Sequence, residues 1–175
     1  MTGGERPCVA ERRRPRDGGR GTTALGRDRV LRLVWLSLYA AGMAYVEAAV
    51  VAYLRLIGYG GGFDASTPDA LGVLPRTVVL TEVGREAATI VMLAAVALLA
   101  ARRSWWERLG CFLWAFAVWD VLYYVWLRLL TGWPQSMMTL DVLFLIPFVW
   151  VAPVVFPLAV SGIMMALALA VLRRS

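Results

Sequence analysis

The chain has 175 residues and a formal net charge of +6, and 60% of its residues are hydrophobic. A soluble domain is typically about 45–50% apolar, and here the excess lies in long runs that are typical of membrane spans. All 18 basic residues are arginine and the chain has no histidine, which excludes the histidine-based zinc, haem and general-base sites.

The first segment, residues 1–29, is rich in glycine, arginine and proline and almost free of large apolar side chains. Such a segment buries too little surface to order itself, so we predict a disordered cytoplasmic tail. We expect no signal peptide, because no apolar run follows the charges within this segment. Its arginines are interpreted either as a topology signal or as contacts to anionic lipid head groups or RNA.

The sequence pI near 10.0 does not by itself make nucleic acid an expected partner. Half of the arginines lie in the first 32 residues, so the basic charge belongs to the tail and to the membrane flanks. Cys8 and Cys111 are the only cysteines, which excludes a disulfide framework and a CxxC motif.

Three apolar tracts after the tail are each long enough to cross a bilayer. They lie at residues 30–57, 77–101 and 109–131, and about 20 apolar residues suffice for a span. We predict a transmembrane helix in each of them.

The last apolar tract, residues 139–172, is too long for one span. As a single helix it would reach about 51 Å, whereas the hydrocarbon core of a bilayer is about 30 Å thick. Proline breaks a helix interior, and the tract contains Pro147, Pro153 and Pro157. We predict a short half-helix at 139–146, a break at Pro147 and a final span near 154–172.

The arginine content of the loops predicts the orientation. The tail, the RRSWWER loop and the terminal RRS are basic, whereas the GYGGGFDASTPDALGVLPR loop holds one arginine and TGWPQSMM holds none. By the positive-inside rule, both termini face the cytoplasm and the chain crosses the membrane four times. The predicted fold is therefore all-α, with residues 30–175 as one four-helix transmembrane domain.

Ionisable residues lie within these apolar tracts, where each charge is costly. In the second tract, Glu82, Arg85 and Glu86 have i, i+3 and i+4 spacing and therefore share one helix face. In the third tract, a second set has similar spacing. It comprises Asp120, Tyr123, Tyr124 and Arg128.

The first tract contributes Glu47 and, two turns later, Arg55. The face that carries Glu47 also carries a ladder of small residues, Ala40, Ala44 and Ala48, which allows helices to approach closely. We therefore predict that Glu47 faces the neighbouring helices.

Three carboxylates are predicted to lie at one depth. Counted back from the outer end of each span, Glu47, Glu86 and Asp120 all fall about 15 Å inside the membrane; we call these three the floor. Three arginines near the outer ends, which we call the rim, are Arg55, Arg76 and Arg128. With Asp141 at the start of the broken segment, this pattern predicts a cavity that opens outward.

The floor has more negative than positive charge, because only Arg85 lies deep enough to pair with it. Burial disfavours the ionised form of a carboxyl group, so we predict that at least one floor acid is protonated or holds a cation. Two structural interpretations remain open. The rim arginines could simply extend to the interface, and the acids with Arg85 could form ion pairs between helices without any ligand.

Four segments, YVEAAVVAYLR, EVGREAAT, WDVLYYVWLRLLTGWP and LDVLFLIPFVW, resemble a set of small bacterial inner-membrane proteins that have no assigned activity. The resemblance covers about residues 30–160. It implies the same four-span fold and a location in the bacterial cytoplasmic membrane, and it implies nothing about chemistry or a cofactor.

Three functional hypotheses fit these observations. The first is a polar site for a small ligand, an ion or a proton, in a binding protein or transporter. The second is a membrane enzyme that acts on a lipid or isoprenoid by carboxylate acid–base chemistry, with Tyr123 or Tyr124 assisting and the rim arginines holding a head group. The third is an accessory subunit of a larger membrane complex, whose polar face meets another membrane protein. Assembly into a homo-oligomer is a further possible partnership.

Oxygen ligands alone would favour Mg²⁺, Ca²⁺ or Mn²⁺ if a metal were bound. No metal-binding motif is recognisable in the sequence, so no metal ligand and no cofactor are assigned.

Overall fold

The computed structural model describes residues 20–57, 75–101, 104–146 and 149–174. These segments form four helices and one β-hairpin. In chain order the elements are α1 (Arg20–Ile57), α2 (Arg76–Ala100), α3 (Trp105–Thr131), β1 (Leu140–Phe144), β2 (Trp150–Pro153) and α4 (Val155–Arg174).

Each of the four helices is long and apolar enough to cross a membrane, which confirms the prediction of four apolar spans. The qualifying stretches are Gly26–Arg55, Arg76–Ala100, Trp105–Thr131 and Val155–Arg174. Large apolar side chains such as Leu99, which is 86% exposed, cover the outside of the bundle. A surface of this kind is stable when lipid surrounds it.

The first helix is longer than its predicted span. It begins at Arg20, so the last part of the predicted tail is helical. Residues 1–19 lie outside the described residues.

The third helix, α3, is the central element and packs against α1, α2 and α4. Close approach of α1 depends on its small residues: Ala40, Ala44 and Ala48 are completely buried. Glu47 lies beside this ladder and is only 3% exposed. The prediction that Glu47 faces neighbouring helices is confirmed.

The apolar core lies toward one end of the bundle, where α1 and α3 begin and α4 ends. Leu36, Leu93, Cys111 and Leu172 are buried together there. At this end Arg32 of α1 forms an ion pair with Glu107 in the first turn of α3. The other end of the bundle contains the polar residues and the hairpin.

Residues 140–144 and 150–153 correct the prediction for the last tract, because they pair as antiparallel strands and the predicted half-helix at 139–146 is absent. The fold is therefore mostly helical and not all-α. The predicted break at Pro147 lies outside the described residues. The paired residues are Leu140 with Pro153, Asp141 with Ala152, Val142 with Val151, and Phe144 with Trp150, with an irregularity between Val142 and Phe144.

The composition of the hairpin explains this result. Valine and aromatic residues favour a pleated strand, and Pro153 occupies a strand end, where a missing N–H is tolerated. The five-residue segment LDVLF does not distinguish a buried strand from a helix by its periodicity. The prolines therefore predicted that the helix is interrupted, but not that the chain forms strands.

Gly110 provides a test of how closely α3 and α4 pack. A Cβ atom at this position would lie 2.8 Å from Cγ of Leu172, so we expect Gly110→Ala to cost about 1–3 kcal/mol through overpacking. The gain in helix propensity from glycine to alanine, about 1 kcal/mol, offsets only part of this cost. The measurement is the thermal unfolding midpoint of the purified protein in detergent, which should fall.

Gly42→Ala is the matched control, because a Cβ atom at Gly42 meets nothing within 4 Å. This variant should be as stable as the wild type or slightly more stable. Equal midpoints for the two variants would contradict the close α3–α4 contact.

Candidate functional site

A cavity of about 260 Å³ lies among the four helices and the hairpin. Its polar lining comprises Glu47, Arg85, Glu86, Thr89, Asp120, Tyr123, Tyr124, Asp141 and Ser161. The structure therefore brings the three floor carboxylates together with Arg85, both tyrosines and Asp141. These residues come from α1, α2, α3, α4 and β1, so every one of the main elements except β2 contributes a polar group.

Glu47 is held by two groups on α2. Its Oε2 atom forms an ion pair with Nη1 of Arg85, and its Oε1 atom accepts a hydrogen bond from the Thr89 hydroxyl. Arg85 also binds Glu82, with Nη2 at 2.7 Å and Nε at 2.9 Å from the same carboxylate oxygen. The one guanidinium of the cavity is thus shared between two glutamates.

Glu86 binds the hairpin. Its two carboxylate oxygens lie 2.9 Å and 3.1 Å from the backbone nitrogen of Leu145, which follows β1 directly. A backbone N–H outside the strand ladder needs an acceptor when water is excluded. Glu86 supplies that acceptor and fixes the hairpin against α2.

Asp120 binds the last helix. Its Oδ2 atom accepts a hydrogen bond of 2.8 Å from the Ser161 hydroxyl, and both residues are buried. The partner is neutral, so this contact satisfies one lone pair of the carboxylate without compensating its charge.

Asp141 lies in β1 and accepts a hydrogen bond of 2.9 Å from the Tyr124 hydroxyl of α3. Burial raises the pKa of the Asp141 carboxyl to about 6, against the opposing effects of the Tyr124 hydrogen bond and the positive charge of Arg55. This carboxyl therefore takes up a proton only about one pH unit below neutral.

The charge around the cavity is unbalanced. Four carboxyl groups, those of Glu47, Glu86, Asp120 and Asp141, line it together with a single guanidinium. Within the described residues, the cavity therefore carries a formal excess of three negative charges when every acid is ionised.

The remaining predicted site residues lie outside the cavity lining. Glu82 touches the site only through Arg85. Arg128 turns back over the end of α3, where it donates to the carbonyl oxygens of Gly132 and Pro134, the latter at 2.7 Å. Of the other two rim arginines, Arg55 lies over the Trp133 ring, 4.4 Å from its centroid, and Arg76 is exposed at the start of α2.

Several lining residues were not predicted from the sequence, among them Thr89, Ser161 and Trp119. Thr89 and Ser161 are small hydroxyl residues in apolar helices, where such residues are common and have no distinctive signal. Thr89 does lie one turn after Arg85 on the face that the charged triplet defines. Trp119, next to Asp120, resembles any other aromatic residue of a span.

Trp119 has an unusual environment. The residue is 9% exposed and lines the cavity, and its Nε1 donor has no hydrogen-bond partner within the described part of the chain. Trp126 also has a buried indole nitrogen without a partner there, but Trp126 does not line the cavity.

The oxygen-rich lining does not form a metal centre by geometry. Among residues 20–57, 75–101, 104–146 and 149–174, no group of three or more aspartate, glutamate or cysteine side chains could hold a metal ion. Each cavity carboxylate faces a different donor instead.

Comparisons of the chain with models of protein families, with curated proteins and with solved structures found no match. The interpretation of the cavity therefore depends on its geometry and charge.

The contact between Glu86 and Leu145 predicts how the hairpin is held. Glu86→Ala removes the only carboxylate that binds the Leu145 N–H, and a hydrogen bond to a charged group contributes about 1.5–3 kcal/mol. We expect the Leu145 amide to exchange its hydrogen about tenfold to a hundredfold faster, measured by hydrogen–deuterium exchange of the protein in micelles.

Two control variants separate this bond from a general loosening of α2. Glu86→Gln keeps a side-chain oxygen acceptor and should retain most of the protection. Glu82→Ala, one turn earlier, should leave Leu145 unchanged, because Glu82 contacts Arg85. Unchanged exchange in Glu86→Ala would show that other contacts hold the hairpin.

Proposed function

We propose that this is a multi-pass protein of the bacterial cytoplasmic membrane whose acidic cavity opens toward the outside and binds positive charge. That charge is carried by a small cation or by protons on the cavity carboxyls. The observation that carries the proposal is the excess of four carboxyl groups over one guanidinium around a single buried cavity.

An isolated charge is unfavourable in a buried site. A buried carboxylate loses several kcal/mol of solvation, and only a nearby positive charge or a proton restores most of that loss. Glu47 has such a partner in Arg85. Asp120 accepts its hydrogen bond from the neutral Ser161 hydroxyl. Asp141 accepts from the Tyr124 hydroxyl and the Val142 backbone, with Arg55 acting on it only through its electrostatic field, so we expect positive charge that enters the cavity to stabilise both ionised acids.

The position of the cavity along the helices supports an outward opening. Glu47 and Asp120 each precede a rim arginine by eight residues, and Glu86 follows Arg76 by ten, which corresponds to about 12–15 Å along each helix. The hairpin and residues 132–139, which contain no arginine, lie at the same end of α3. The positive-inside rule assigns such an end to the outer side of the membrane.

Ionisable groups within membrane spans mark ion pathways, proton relays and ligand sites in many membrane proteins. The carboxyl groups of the cavity come from separate elements, and each has its own hydrogen-bond donor. Groups arranged in this way suit all three uses. Binding of positive charge is the function that these uses share.

Infrared spectroscopy tests the proposal directly. In the full chain reconstituted in lipid at pH 7, we expect the C=O stretching band of a protonated carboxylic acid, or a bound cation whose removal makes this band appear. Asp120→Asn should remove part of that band, because burial beside a neutral donor favours the protonated acid.

Asp28→Asn is the matched control, because Asp28 is an exposed carboxylate near the start of α1 that does not line the cavity. It should leave the band unchanged. The proposal fails if the wild type at pH 7 has every carboxyl ionised and native mass spectrometry finds no bound ion.

Fusion proteins test the orientation. Alkaline phosphatase, which is active only outside the cytoplasm, should be active when fused after Ser136 and inactive when fused after Arg174, because the loop with Ser136 has no arginine and α4 ends in two. The reverse pattern would place the cavity on the cytoplasmic side.

A further inference from the structure

We infer that the ligand of the cavity is a small organic cation of the methylated ammonium type. This inference rests on the proposed function and specifies the class of positive charge. Two features of the cavity carry it: an aromatic wall and a size larger than that of a bare ion.

The aromatic wall is continuous along α3 and reaches the hairpin. Phe144 stacks on Phe116 with ring centroids 6.3 Å apart, and Phe116 meets Trp119 edge-on at 5.3 Å. Trp119 stacks on Tyr123 at 6.4 Å, and Tyr123 meets Tyr124 at 5.0 Å. All five rings line the cavity.

Aromatic faces and carboxylates together select one kind of ligand. The face of an aromatic ring attracts a cation with about 0.5–2 kcal/mol, most strongly where water is excluded. The methyl groups of an organic ammonium ion gain further by leaving water. The carboxylates supply the opposite charge, so apolar and acidic surfaces favour the same molecule.

The size and the donor geometry argue against a bare inorganic ion. The volume of about 260 Å³ exceeds several times the ~30 Å³ that one water molecule occupies in the liquid. A hard cation needs six or more oxygen ligands close together, and the described residues offer no group of three acids that could hold a metal. An organic cation fills the volume and needs no convergent ligand shell.

The experiment compares three probes on the full wild-type chain in nanodiscs of anionic lipid. Choline has a trimethylammonium group and a hydroxyl oxygen, 3,3-dimethyl-1-butanol has the same shape without the charge, and sodium has the charge alone. Binding is followed by isothermal titration calorimetry. We expect choline to bind about tenfold or more tightly than the neutral analogue, and sodium at equal ionic strength to compete weakly.

Two variants assign the binding to the cavity. Asp120→Asn should weaken choline binding by about tenfold, since it removes one cavity carboxylate, whereas Asp28→Asn should leave it unchanged. Trp119→Phe replaces an indole of the cavity wall by a smaller ring that attracts a cation less strongly. It should weaken choline binding more than binding of the neutral analogue.

Methylated ammonium groups occur on free small molecules and on lipid head groups, and the lipid composition distinguishes these sources. If the natural ligand is a head group, adding phosphatidylcholine to the nanodiscs should reduce the apparent affinity for choline. If the natural ligand is a free solute, the affinity should be the same in both lipids.

The wild-type comparison decides the inference even where a variant fails to fold. Equal affinity for choline and its neutral analogue would overturn it, and so would tight sodium binding without choline binding. In the second case the proposed function stands, since the cavity still takes up positive charge. Both proposals fail together if neither cation binds and infrared spectroscopy finds no protonated carboxyl at pH 7.

Discussion

The four carboxyl groups of the cavity determine how the elements of this protein are joined. Glu47 of α1 binds Arg85 and Thr89 of α2, and Glu86 of α2 binds the backbone after β1. Asp120 of α3 binds Ser161 of α4, and Asp141 of β1 binds Tyr124 of α3. Every acid thus finds its donor on a different element. In lipid, where apolar contact between helices gains little over contact with acyl chains, such bonds and close packing are what hold a bundle together.

The carboxyl groups have two separate properties: they accept hydrogen bonds that join the elements, and they carry negative charge when ionised. Hydrogen bonding needs only one donor for each acid, and the bundle provides it. Charge neutralisation needs a positive charge for each ionised acid, and Arg85 is the only guanidinium in the cavity lining of the described chain. The acids therefore join the elements through their hydrogen bonds, but the cavity lining does not supply a positive charge for each of them. At the opposite end, apolar packing dominates, since Ala40, Ala44 and Leu93 are fully buried there, and the Arg32–Glu107 ion pair has one cation for its one acid.

The sequence was sufficient to predict features that follow from helical spacing and hydropathy. It was not sufficient to predict contacts that depend on how far a side chain extends. The four apolar helices, the buried position of Glu47 and the presence of Glu86 and Asp120 around one cavity follow from spacing along regular helices. The hairpin does not, because a short apolar run with prolines suits either a broken helix or a strand. The contacts of the rim arginines were not predictable either: Arg128 is long enough to turn back onto the carbonyl oxygens that end its own helix. Hydroxyl partners such as Ser161 are visible only once the helices are placed together.

The bond between Asp120 and Ser161 has a consequence for biosynthesis. These residues are 41 positions apart, and α4 is the last helix to leave the ribosome. If the helices insert into a membrane from the N-terminus, Asp120 enters lipid before its donor has been made, at a cost of about 2.5–3.5 kcal/mol for an aspartate at the centre of a helix. Tyr124 and Asp141 are closer together, 17 positions apart, so their bond can form earlier. The site would then be assembled in the order of translation, and the Asp120–Ser161 contact would close only when the final helix is in place.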